Sequence, residues 1–250
     1  MSTQRVALIT GAAGGIGSAT CRVFHDAGWF VVGVDRRHED VPGVDQFLEY
    51  DISDPSTPAK IFEQIRTSKG RLDALVNNAA MQLCKPIVET TAQEWDQVMA
   101  SNIRSVFLSA KEAHPLLKVT QGAIINVSSV HAMATSKNIA AYAASKGALS
   151  AFTRSLALEF GDDEIRVHAV LPGAVDTPML HAGLDRGHVE PGSMDELVRG
   201  LGERHVMGRV GQPEEIGRVI HFLADGQQSS FITGQSIVVD GGALARLSTE

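Results

Sequence analysis

Val6-Ala7-Leu8-Ile9-Thr10-Gly11-Ala12-Ala13-Gly14-Gly15-Ile16-Gly17 is the stretch that decides the fold. It begins as a short, wholly apolar run, breaks into glycines, and continues into a helix-length apolar pattern over 16–27. An apolar run without alternation is how a parallel strand, buried on both faces, reads in sequence. Glycines after such a strand permit positive φ and a close approach of backbone to ligand. The free amides that open the next helix offer donors and a partial positive charge. The turn is therefore a candidate pyrophosphate cradle, with an ordinary strand-to-helix turn as the alternative. Its glycines, Gly11, Gly15 and Gly17, are spaced GxxxGxG rather than GxGxxG.

Outward from this stretch the same alternation repeats. Strands are predicted at 6–9, 29–34, 46–50, 74–76, 123–127, 166–171 and 236–239, and helices at 16–27, 55–68, 91–117, 141–160 and 213–224. Strands alternating with helices and joined by right-handed crossovers give a doubly wound α/β (Rossmann) fold, a parallel sheet of about seven strands covered on both faces. Ligands then bind at the carboxyl ends of the strands. With 250 residues and no linker-like stretch, a single domain spanning 1–250 is expected. The rhythm breaks only at 172–212, rich in glycine and carrying one weak helical pattern near 195–201. A loop this long is uncommon unless functional. It is expected to cover the substrate, with a surface insertion or an oligomer contact as alternatives.

Composition narrows the partners. A net charge of −7 speaks against binding nucleic acid or an anionic membrane, so a small-molecule substrate is expected. Cys21 and Cys84, the only cysteines, have no metal-site spacing, and neither a metal nor a disulfide is expected. The opening residues suit no export leader and no apolar run reaches membrane-spanning length, so a cytoplasmic protein is expected.

Three further positions carry chemistry. Asp35 ends the second predicted strand, about where a dinucleotide site needs an acid. A carboxylate there accepts both ribose hydroxyls and repels a 2′-phosphate, which favours NAD over NADP. Arg36 and Arg37 follow at once and partly offset the repulsion. A turn cap is the plainer role for Asp35. Tyr142 and Lys146 are four apart on a predicted helix and share a face. An isolated tyrosine, with a pKa near 10, is a poor base at neutral pH, and a neighbouring cation favours its phenolate. Ser128 and Ser129 close the strand at 123–127, where a hydroxyl suits an oxygen that gains or loses charge, or simply caps a turn.

Together these residues resemble the short-chain dehydrogenase/reductase family over nearly the whole chain. The resemblance rests on Thr10-Gly11, Gly15-Ile16-Gly17, Asp51-Ile52, Asn77-Asn78-Ala79, Asn102, Ser129, Tyr142-xxx-Lys146, Pro172-Gly173 and Thr177, all in the family's order. The family's serine-to-tyrosine spacing selects Ser129 over Ser128. What the resemblance implies is a nicotinamide-dependent oxidoreductase. In it Tyr142 exchanges a proton with the substrate oxygen, Lys146 lowers the tyrosine pKa and grips the nicotinamide ribose, and Ser129 orients the substrate. Asn102 distorts its helix and holds a water that links the lysine to solvent. Asp51 and Ile52 would contact the adenine, Asn77 would support the cofactor strand, and Asn78 and Ala79 would border the cofactor. Pro172, Gly173, Val175 and Thr177 would lie beside the nicotinamide. A homotetramer built on the helices at 91–117 and 141–160 is also implied.

Two positions depart from the family pattern, Ala80 in place of glycine and His168 in place of asparagine, and His168 is expected to be a satisfied core histidine. The segment Ser128-Ser129-Val130-His131 looks like that of bacterial sugar dehydrogenases of this family, so His131 is a candidate to hydrogen-bond a polyol. The leading expectation is an NAD-dependent dehydrogenase of a sugar, polyol or related secondary alcohol. An NADP-dependent 3-oxoacyl thioester reductase, with Arg104 and Lys111 able to meet an acidic carrier, is the second. A nucleotide-sensing protein without chemistry is the third, disfavoured by the intact Ser129, Tyr142 and Lys146.

Overall fold

The computed structural model describes residues 4–185 and 192–245. β1 (Val6–Thr10) leads into α1 (Gly15–Asp26), followed by β2 (Phe30–Asp35), β3 (Gln46–Glu49) and α2 (Thr57–Ser68). Then come β4 (Ala74–Asn77), α3 (Ala92–Met99), α4 (Ser105–Thr120), β5 (Ala123–Val127) and α5 (Ala140–Glu159). β6 (Arg166–Pro172) precedes α6 (Pro178–Leu184), α7 (Met194–Gly202), α8 (Pro213–Ala224), α9 (Gly226–Ser229) and β7 (Ser236–Val239).

The seven strands form one parallel sheet in the order β3-β2-β1-β4-β5-β6-β7. The chain winds outward from β1 to β3, then crosses back to β4 on the other side. The crevice between the carboxyl ends of β1 and β4 is thus the switch point where such sheets receive ligands. Side chains alternate along each strand and divide the core into two layers. Val6 and Leu8 of β1, with Val32, Leu75 and Ile124, face Ile61, Ile65, Ala113 and Leu117 of α2 and α4. Ala7 and Ile9, with Val31, Val76 and Ile125, face Phe24 of α1 and Ile216 and Ile220 of α8. Burial of the five inner strands on both faces explains why the sequence shows runs there rather than alternation.

His168 is buried in β6, with its Nε2 3.3 Å from Arg166 Nη1. Burial, helped by the Arg166 charge, pushes it down to about 4, so it is a neutral core histidine, though not a fully satisfied one, since its buried Nδ1 has no hydrogen-bond partner. Arg166 itself donates to the Leu223 and Ala224 carbonyls at 2.6 and 3.0 Å and so satisfies the end of α8. Cys21 and Cys84 are free thiols. Among the described residues no helix is long and apolar enough to cross a membrane.

Two regions differ from expectation. The single helix predicted at 91–117 is two helices, α3 and α4, joined by a π-helical turn at Ala100–Arg104. Within 172–212, whose residues 186–191 lie outside the described ones, α6 and α7 replace a mostly irregular loop. Thr177 caps α6, its Oγ1 accepting from Leu180 N at 3.2 Å with Pro178 in the first turn. Ser193 and Glu196 cap α7 reciprocally.

Candidate active site

At the end of β1, Gly11 adopts φ +66°, and a Cβ there would lie 2.9 Å from the Ala79 Cα. A Cβ on Gly17 would lie 2.0 Å from the Gly11 carbonyl oxygen, so no side chain fits at this crossing. α1 then opens on Gly14 with no side-chain cap and no acidic residue in its first turn, which leaves its first amides available to an anion. Neighbouring strands hold the turn in place. Ala12 N donates to Val34 O at 3.1 Å, Ala13 N to Asp35 Oδ2 at 3.2 Å, and Asn78 Nδ2 to the Thr10 and Gly11 carbonyls at 3.0 and 3.1 Å. Thr10 Oγ1 accepts from the amides of Asn78 and Ala79 at 3.0 and 3.1 Å. Behind it, Asn77 Nδ2 donates to Asn126 Oδ1 at 2.9 Å, tying β4 to β5.

Across the crevice, β5 delivers the two serines and α5 the tyrosine and lysine. Ser128 is taken up structurally, since its Oγ donates to the Lys146 carbonyl at 2.9 Å. Ser129 Oγ accepts from His131 N at 3.2 Å and lines the same cleft as the Tyr142 phenol. Tyr142 and Lys146 are both buried, and the Lys146 Nζ lies 5.5 Å from the phenol ring centroid. That Nζ donates to the Val127 carbonyl at 2.7 Å.

The electrostatics differ from the expected depression of the tyrosine by the lysine. Burial pushes Tyr142 up to about 12, the Ser129 hydroxyl opposes the rise, and the Cys84 thiol adds to it. Burial alone pulls Lys146 down to about 7. The physical reason is direction: the ammonium turns toward a backbone carbonyl, and loss of solvent disfavours both charged forms. His131 packs edge-on against Tyr142 at 5.8 Å, and its Nδ1 meets Thr135 Oγ1 at 2.9 Å.

Asn102 sits in the π turn and is fully buried. Its Oδ1 accepts from Met81 N at 2.7 Å, and its Nδ2 donates to Met81 O at 2.9 Å and to Ser145 Oγ at 3.0 Å. Ser145 Oγ in turn donates to the Tyr142 carbonyl at 2.7 Å. One amide therefore joins the loop after β4 to the turn that carries the tyrosine. The π turn is the local distortion that aims it there.

A cleft of about 2650 Å³ runs along this edge of the sheet, lined by the residues expected to bind cofactor and substrate except Thr10, Gly17, Asn77 and Asn102, which lie behind its wall. Asp35 Oδ1 accepts from Arg36 N at 2.8 Å, and both residues, with Arg37, edge the far end. Asp51 Oδ1 accepts from Ser53 N and Oγ at 2.9 and 2.7 Å, while Ile52 is buried beside it.

A family model described as enoyl-(acyl carrier protein) reductase matches residues 11–243. The cyclopentanol dehydrogenase of Comamonas testosteroni is 34% identical over 97% of this chain and 98% of its own. The chain belongs to the short-chain dehydrogenase/reductase family. The meso-2,3-butanediol dehydrogenase of Serratia marcescens is likewise 34% identical, over 97% of this chain and 95% of its own. The solved structure of the ligand-free aldohexose dehydrogenase of Thermoplasma acidophilum superposes with a TM-score of 0.91 at 30% identity, covering 98% of this chain and 96% of that one. This chain is accordingly an oxidoreductase acting on CH–OH groups, of a family that uses nicotinamide cofactors.

The residues present fit such a cofactor. The glycine crossing leaves a cradle that any Cβ would fill, the uncapped start of α1 leaves backbone donors for an anion, and Asp35 offers a carboxylate on the same cleft. Sequence reasoning missed Thr10 as the hub of the turn, although a hydroxyl directly before the first glycine is a signal. It also missed Gln82 and Cys84, which line the cleft and belong to no motif.

Proposed function

We propose that this protein is an NAD-dependent dehydrogenase of a sugar, polyol or related secondary alcohol. The observation that carries the reading is the placement of Ser129, Tyr142 and Lys146 together on one cleft, across the crevice from the glycine turn. Ser129 Oγ holds the substrate oxygen, and Tyr142, once ionised to the phenolate, takes the hydroxyl proton as the carbon is oxidised. Lys146, one helical turn along, favours that phenolate when its Nζ leaves the Val127 carbonyl, and it is a donor toward the nicotinamide ribose. Asn102 fixes the spacing between the tyrosine turn and the loop over it. The bound nicotinamide dinucleotide supplies the hydride acceptor. Asp35 keeps acceptor capacity for ribose hydroxyls beyond its two amide bonds, which supports NAD over NADP. His131 offers a polyol a partner next to Tyr142.

On this reading 1–250 acts as one domain, 172–212 covers the substrate, and the protein works in the cytoplasm as a homotetramer. Exposed Phe107 on α4 and Leu158 on α5 support helix-to-helix assembly. A second reading, an NADP-dependent 3-oxoacyl thioester reductase, draws on Arg36 and Arg37 at the ribose end and on the description of the matching family model. The test is nicotinamide absorbance against aldoses, polyols and secondary alcohols with NAD and NADP, and in reverse with 3-oxoacyl thioesters. Turnover of a polyol or sugar with NAD is expected. Thioester reduction with NADPH alone would overturn the reading in favour of the second.

A further inference from the structure

Gln82 lies on the loop after β4 and lines the cleft, yet its side-chain amide makes no hydrogen bond among the described residues, and its Oε1 is buried. A buried acceptor without a partner is costly and uncommon in a folded protein. This one lies against α6, where a Cβ built on Gly183 would be 3.5 Å from the amide oxygen. The backbone just before it is held firmly, because Asn102 bonds both the amide and the carbonyl of Met81 and links them through Ser145 to the Tyr142 turn. Two residues further on, the Cys84 thiol is near enough to Tyr142 to raise its pKa, so the loop passes close to the reacting phenol.

We infer that Gln82 is a specificity-determining residue whose amide oxygen accepts a hydrogen bond from a second hydroxyl of the substrate. The site thereby prefers alcohols with a neighbouring hydroxyl, as in vicinal diols, polyols and sugars, over simple secondary alcohols. The buried atom is an acceptor, so the group that satisfies it must bring an O–H or N–H; a ketone, a thioester or a hydrocarbon tail does not. An amide is neutral and suits a hydroxyl, where an ammonium or carboxylate substrate would call for the opposite charge. Similarity does not make this choice, since relatives named for a monoalcohol and for a diol are equally identical to the chain. The inference rests on the proposed oxidation of an alcohol at Tyr142.

The test compares cyclopentanol with cis-1,2-cyclopentanediol, which differ by one hydroxyl. With NAD, the native protein is expected to favour the diol in kcat/KM by about tenfold or more, equivalent to ~1.4 kcal/mol. In Gln82→Leu that preference collapses toward unity, chiefly through KM for the diol, and Gln82→Glu, which keeps an acceptor, restores it. An unchanged ratio in Gln82→Leu, or a native preference for cyclopentanol, overturns the inference. Calorimetric titration of both alcohols into NADH-saturated protein reads binding without turnover. If neither alcohol is oxidised, the proposed function fails while the binding ratio still judges Gln82: tighter diol binding that Gln82→Leu abolishes supports it, and equal binding refutes it.

Discussion

Lys146→Met is expected to make the protein inactive and to stabilise it relative to the native protein in acid but not in alkali. The native ammonium is buried, with its pKa brought from 10.5 down to about 7. At ~1.4 kcal/mol per pH unit, that fall from 10.5 to about 7 makes the buried proton cost about 5 kcal/mol below pH 7. The sign follows from proton binding. Between about 7 and 10.5 the unfolded chain keeps a proton that the folded chain releases, so native stability rises with pH across that window and is lowest beneath it. Methionine keeps the length of the side chain and removes the charge. It also loses the bond from Nζ to the Val127 carbonyl, a loss of about 1–2 kcal/mol. Net, the variant gains about 3–4 kcal/mol at pH 6, and the gain disappears or reverses near pH 10.5. Urea unfolding of both proteins at matched concentration, from pH 6 to pH 10, measures the difference. A stability difference independent of pH would refute the argument that the lysine is held against its charge.

Three further changes probe the supporting structure. Gly17→Ala forces a Cβ onto the Gly11 carbonyl oxygen and should weaken NAD binding about tenfold or more by calorimetry, with about 1–3 kcal/mol of destabilisation. Asn102→Ala removes the clamp on Met81 and Ser145. It should lower stability by about 2–4 kcal/mol and raise KM for the alcohol as the loop over Tyr142 loosens. Asp35→Ala should shift the ratio of NAD to NADP affinity toward NADP by about tenfold, and an unchanged ratio would count against its ribose role.

The five inner strands were legible because each is buried on both sides and therefore shows as a mainly apolar run, whereas β3 and β7, at the sheet edges, are only partly buried. The places of the glycine turn, Asp35, Tyr142 and Lys146 were legible from local spacing and position on the sheet edge, whereas Ser129 was separated from Ser128 only by the family's serine-to-tyrosine spacing. The π turn was not legible. Val98, Val106, Ala110, Ala113 and Leu117 carry the apolar pattern straight through 91–117, and the break is imposed by Asn102 reaching Met81 and Ser145, contacts remote in sequence. α6 carried a start signal in Thr177-Pro178, masked by the glycines and charges around it. The direction of the Lys146 ammonium was illegible for a different reason: a spacing of four residues brings side chains together on a helix, but the competing acceptor, Val127 O, belongs to another strand. Gln82 belongs to no motif, and only its missing partner in the folded cleft marks it out.

The most direct test of the central claim is Tyr142→Phe, measured for NAD binding by calorimetry and for alcohol oxidation by nicotinamide absorbance. The phenol oxygen is the only atom removed. NAD affinity within about twofold of native and a fall in kcat of about a thousandfold or more are expected. A variant that keeps kcat within about tenfold of native would contradict the assignment of Tyr142 as the group that takes the proton.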